Sequence, residues 1–305
     1  MPFVDRNSRP EHSMKHGTLA VRPFRRMRHA ALILCAVWAP VTAAQAQNCL
    51  TPRAGPFRVY DGMFYRGQPD LKPFGLRPLR IIDRGIWIDE ATRAQGDPAK
   101  FRAAVGALPD DGAPIVLDLE SISLEGAPGI ANGLSEIGRI TSGIRRYSAK
   151  RSIGLYGTFP RSEYWRAIDS KAHGGIASLR RDNDKIASID RMVDAVYPSL
   201  YTFYDDRAGW VAQAKSLVCE ARRLSKKPVY VFIWPEYHPS SVKKNQWLPR
   251  SYWELQLDTL REIADGVVIW GGFDMYANRS RQWDPNAAWW SATRQRMAQW
   301  KAAAR

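Results

Sequence analysis

Apolar residues along this chain fall into two kinds of run: short, nearly continuous ones, and longer ones spaced at three and four positions. The short runs, at residues 79–88, 115–120, 152–157, 193–201, 229–234 and 266–272, read as strands covered on both faces. Helical spacing occupies 98–108, 134–148, 185–192, 208–224, 251–264 and 286–303, and a short helix opens at Tyr164 and Trp165. The inward face is Phe101, Val105 and Leu108 in the first of these, and Trp289, Met297 and Trp300 in the last. Residues 51–73 and 173–184 are polar or broken by proline and glycine and read as loops. Strand followed by helix, six or seven times over, is the signature of a parallel α/β protein. No G-x-G-x-x-G follows any strand, and the length favours a (β/α) TIM-like barrel, distorted, with seven or eight strands.

The first 46 residues stand apart. Arg22, Arg25, Arg26 and Arg28 precede an apolar core at 30–41, and Ala44-Gln45-Ala46 is a small-x-small cleavage site. Residues 1–46 therefore read as a signal peptide region, with Met14 or Met27 as alternative starts, and 47–305 as one catalytic domain. The product is expected to be exported, periplasmic or secreted, and monomeric, with no transmembrane span after the leader. Of three cysteines only Cys49 and Cys219 remain; they either form a disulfide tying the N-terminal segment to the body or stay as two buried thiols. Without the leader, 38 Lys and Arg face 28 Asp and Glu, a net of +10. That charge suits an anionic partner, but the basic residues are scattered rather than interleaved with aromatics, which argues against nucleic acid.

The candidate chemistry sits on one strand. Ile115-Val116-Leu117-Asp118-Leu119-Glu120 ends on two carboxylates, and their i, i+2 spacing on a strand puts both on one face. Two carboxyls held side by side push one toward its protonated form, which can then act as a general acid. The plain alternative is a helix-capping Asp118 and a solvated Glu120. In a barrel the site lies at the C-terminal strand ends, and those ends also carry Tyr156, Tyr197, Tyr201, Trp234, Tyr237 and Trp270. Flat rings around an acid pair suit a sugar-binding cleft. No cofactor is expected: His173 and His238, the two histidines outside the leader, lack metal-ligand spacing, and there is no G-x-S-x-G elbow.

The same blocks resemble the hyaluronidases of animals and venoms, glycoside hydrolase family 56, as a divergent, bacterial-type member. The resemblance rests on Val116-Leu-Asp-Leu-Glu120, Gly154-Leu-Tyr-Gly-Thr-Phe-Pro160, Val196-Tyr-Pro-Ser-Leu-Tyr201 and Gly266-Val-Val-Ile-Trp-Gly271. It implies a retaining, substrate-assisted cleavage of an N-acetylhexosamine polysaccharide, with Glu120 as acid and base and Asp118 on the substrate acetamide. Tyr201 would assist that acetamide, Trp270 would shape its pocket, and Tyr156, Tyr197, Trp234 and Tyr237 would contact substrate. Leu119 stands where the family usually has an aromatic, and the cysteine that follows its G-x-Y-G-x-P block is absent near Ser162. Other readings are a non-catalytic polysaccharide-binding barrel, or a glycosidase of a bacterial envelope or biofilm polymer.

Overall fold

The computed structural model describes residues 49–51, 55–83, 98–169, 171–274 and 277–303. The leader, and residues 84–88 of the first expected strand, lie outside them. Two parallel sheets form the frame. The first has the order β2-β1-β7-β6, from β1 (Arg58–Met63), β2 (Arg77–Pro78), β6 (Tyr230–Ile233) and β7 (Gly266–Gly271). The second has the order β3-β4-β5, from β3 (Arg80–Asp83), β4 (Ile115–Asp118) and β5 (Ile153–Leu155). Only Leu79 separates β2 from β3, so one extended segment pairs first with β1 and then with β4. A short antiparallel hairpin, β8 (Phe273–Asp274) and β9 (Arg279–Ser280), follows β7.

Residues 51–73, expected to be loop, contain β1, which runs in register with β7 from Arg58↔Gly266 to Met63↔Gly271. Asp61-Gly62 in the middle imitates a turn. The carboxylate of Asp61 instead accepts the Met63 N–H and the Gln68 amide. Residues 193–201, expected to be strand, pair by single bridges, Tyr156↔Tyr197 on one side, Val196↔Val229 and Ser199↔Phe232 on the other. Pro198 lies within the segment and has no N–H to give, which keeps the ladder from becoming regular. The α/β parallel architecture is as expected. Among the described residues, however, the ladders form two sheets rather than one continuous ring.

Strand alternation divides the core. Ile115, Leu117, Val231, Ile233, Val267 and Ile269 face outward under the helices, while Val116, Phe232 and Val268 join Tyr60, Tyr197 and Tyr230 in an inner cluster. Each such side chain contributes roughly 1.5–3 kcal/mol by leaving water. The edge of the Tyr197 ring lies against the backbone of Gly154, where a Cβ would be 2.1 Å from it. Gly154→Ala is accordingly expected to lower stability by about 1–3 kcal/mol, read as a fall in the denaturant midpoint; an unchanged midpoint would contradict this packing.

The helices differ from expectation in two places. Helix α1 (Pro98–Gly106) buries Val105, and Phe101's side chain is outside what is described. Helix α2 (Gly126–Tyr147) begins eight residues before the expected 134, inside the Gly/Ala patch. Gly133 is there because the chain after β4 lies directly on it: a Cβ would be 2.4 Å from the Ser123 carbonyl oxygen. The short α3 (Tyr164–Ile168) forms as expected, but 173–184, expected as loop, holds α4 (Gly175–Asp184). Its charged run hides a narrow buried edge of Leu179 and Asn183, the latter bonded to Glu220. The expected helix at 185–192 is a 3-10 helix, Ala187–Met192. Helices α5 (Arg207–Leu224), α6 (Arg250–Ile263) and α7 (Ala288–Ala303) match the spacing, with Trp289 buried and Met297 and Trp300 partly so. No helix among the described residues is long and apolar enough to cross a membrane.

Cys49 and Cys219 form a disulfide that closes a span of 170 residues. Arg222, on the same helix as Cys219, donates to the carbonyl oxygens of Cys49 and Thr51. Replacing both cysteines by serine is expected to cost about 2–5 kcal/mol, measured by denaturation with and without reductant. Equal stability in the two conditions would show that the bridge holds nothing the fold does not already hold.

Candidate active site

β4 delivers Asp118 to the C-terminal end of its sheet because Ile115, Val116 and Leu117 are all buried. The strand then stops. Leu119 turns into the core, and Glu120 stands exposed in the turn beyond, its backbone N–H 3.4 Å from Asp118 Oδ1. Glu120 thus lies beyond the strand's end rather than on it, but the alternation holds: Leu119 joins Ile115 and Leu117 in the outer core, opposite the two acids. Both acids line the same pocket.

Burial pushes the Asp118 carboxyl up to about 6; the Glu120 N–H opposes this and the charge of Asp83 adds to it. Asp83 is its direct neighbour across the β3–β4 ladder. The acid that raises Asp118 is thus Asp83 rather than Glu120, a correction to the expected side-by-side pair.

Tyr156, Tyr201, Trp234 and Trp270 all line this pocket, on a floor that includes Ile81 and Phe232. Tyr201 is the centre of the aromatic set: its ring lies 5.8 Å from Tyr156, 5.5 Å from Trp234 and 5.8 Å from Trp270. Trp234 and Trp270 meet edge to face at 4.4 Å. Burial, and then the nearby acids, drive the phenol of Tyr156 upward. Tyr201 rises for burial first, then through Tyr156 and the same acids. Both tyrosines therefore stay protonated and can donate. Tyr156 shares a hydrogen bond with Ser199 Oγ at 3.2 Å.

Two expected contact residues lie elsewhere. Tyr197 is fully buried beneath the pocket, with its ring 5.5 Å from Tyr230. The hydroxyl of Tyr237 donates to Asp205 at 2.6 Å, and Lys243 sits over its ring. Tyr237, three positions after the inward-facing Trp234, falls with Val231 and Ile233 in the outer core, and neither tyrosine lines the pocket.

His238, read from sequence as without ligand spacing, does line it. Its ring stacks on Tyr201 at 6.3 Å and lies 4.2 Å from Phe203, while Nδ1 accepts the Ser240 N–H at 3.1 Å. Its position four residues past Trp234, in W-P-E-Y-H, was the available signal. Asp83 was equally visible as an acid ending an apolar run, but nothing in the sequence gave its register against Asp118.

Neither a protein-family model nor a curated protein matches this chain. Among solved structures, two of bee venom hyaluronidase are similar, one of them in complex with a hyaluronic acid tetramer. Both give a TM-score of 0.53 at 17% identity and cover 71% of this chain, against 90% and 91% of theirs. At that identity the likeness is one of fold.

Proposed function

We propose that this chain is a glycoside hydrolase that cleaves an N-acetylhexosamine-containing, anionic polysaccharide with retention, using the substrate's own acetamide as nucleophile. The observation that carries this is the opening of Asp118 and Glu120 into one pocket walled by Tyr201 and Trp270. The fold it shares with bee venom hyaluronidase supports it. In this reading the two sheets and the bridged segment 193–202 act together as one distorted barrel of seven strands, with the pocket at the C-terminal strand ends.

Glu120, exposed at the mouth, gives its proton to the glycosidic oxygen as the acetamide carbonyl oxygen attacks the anomeric carbon and the C–O bond breaks. Asp118, ionised, accepts the acetamide N–H and balances the positive charge of the cyclic intermediate. The Tyr201 hydroxyl donates to the acetamide oxygen, and Trp270 packs on its methyl group. A water then attacks the anomeric carbon, loses its proton to Glu120 and restores the acetamide. The net charge of +10 after the leader supports an acidic polymer, and the disulfide supports work in an oxidising compartment after export.

The test is incubation of the protein with hyaluronan, chondroitin, chitin and bacterial exopolysaccharides, followed by mass analysis of the products. New reducing ends on an N-acetylhexosamine support the proposal. Tight binding with no product from any polymer favours a carbohydrate-binding protein instead.

A further inference from the structure

The acid pocket is read above as holding one sugar of a charged polymer, and among the described residues no Lys or Arg lines it. A neighbouring cleft does carry such charges. β1 and the segment 77–83 stay paired only through Tyr60↔Arg77 and Asp61↔Pro78; from Arg80 onward the segment belongs to β4. Where the two part lies this cleft of about 380 Å³, and Ile81 lines both it and the acid pocket.

The charges in the cleft are unequally engaged. Asp61 is committed to the Met63 N–H and the Gln68 amide, and its burial favours the neutral form. Asp70 accepts the Lys72 backbone N–H at 3.0 Å, and Arg80 is paired with Asp111. Lys72 and Arg77 are exposed and have no ion-pair partner among the described residues. Phe64, just past the end of β1, is 43% exposed on the same cleft and offers a ring there for a sugar to stack on.

We infer that this cleft is a lateral arm of the site that takes an anionic sugar of the same polymer, with Lys72 and Arg77 on its charge and Phe64 on its ring face. This presupposes the glycosidase reading. The two clefts then divide the work: the acid pocket accepts an uncharged ring and cuts, and the arm holds the charged neighbour and sets the preference for an acidic chain.

The test is calorimetric binding of a hyaluronan hexasaccharide and of chitohexaose, its uncharged counterpart, to the wild type and to Lys72→Ala/Arg77→Ala. The double variant is expected to bind the hyaluronan hexasaccharide about tenfold more weakly at low salt and chitohexaose as the wild type does. Raising the salt to about 0.5 M should shrink the difference, since exposed charges are then screened. Phe64→Ala should weaken both ligands, because stacking is indifferent to charge. Unchanged binding of the hyaluronan hexasaccharide, or equal weakening of both ligands by the double variant, overturns the arm. If the wild type still cuts an acidic polymer in that case, the glycosidase reading stands without it; if the wild type neither binds nor cuts any polymer, both fall.

Discussion

Glu120→Gln is expected to lower turnover of the polymer about a thousandfold while leaving its binding within a fewfold of wild type. Glutamine keeps the shape and the hydrogen-bonding reach of the side chain but has no proton to give to a leaving oxygen. Glu120 also stands exposed in the turn after β4, so little packing depends on its charge. Loss of turnover with retained affinity would place the proton transfer at this residue. A variant that releases reducing ends at the wild-type rate would remove Glu120 from the chemistry and leave the pocket as a binding site.

Asp118→Asn should cut turnover by about a hundredfold to a thousandfold, because the neutral amide cannot balance the developing positive charge. The same substitution is expected to make the protein more stable at pH 7. The folded-state carboxyl is pushed up to about 6 from an ordinary 3.8, so between those values the folded protein keeps a proton that the unfolded chain has released. Stability from this group is fully present below pH 4 and is lost as pH rises through 6, a cost of about 3 kcal/mol at pH 7. Asparagine removes that cost, so the variant's advantage should be large at pH 7 and vanish near pH 4 in denaturant titrations. In the wild type, kcat/KM should fall with acid below about pH 6 as Asp118 is protonated, and the asparagine variant should lack that limb. An asparagine variant no more stable than wild type at pH 7 would mean that Asp118 is not held against its own ionisation.

The acid strand was legible because its signal is local. Three buried apolar residues must be followed by the first position that can face water, and Asp118 is that position. Strand parity was legible too: Tyr156, Tyr201, Trp234 and Trp270 all reach the inner side. Height along the strand was not. Tyr197 has the same parity as Tyr201 but lies a layer lower, under Phe232, and no feature of its own sequence separates the two. Nor could cross-strand register be read, so Asp83, whose charge adds to the effect of burial on Asp118, stayed hidden inside the expected strand 79–88. β1 was missed for the opposite reason. Asp61-Gly62 is a strong turn signal, overridden by pairing with β7 along the strand's whole length. His238 sits outside any strand, and only the fold of the loop after β6 brings it over Tyr201.

The most direct measurement is proton NMR of the first products released from an N-acetylhexosamine polymer that the protein cuts. With the acetamide as nucleophile and Glu120 guiding water to the same face, the new reducing end should first appear with the anomeric configuration of the linkage that was broken, and only later mutarotate. First appearance of the opposite anomer would mean that water attacks directly from the far side, and the roles assigned to Asp118 and Glu120 could not both be right.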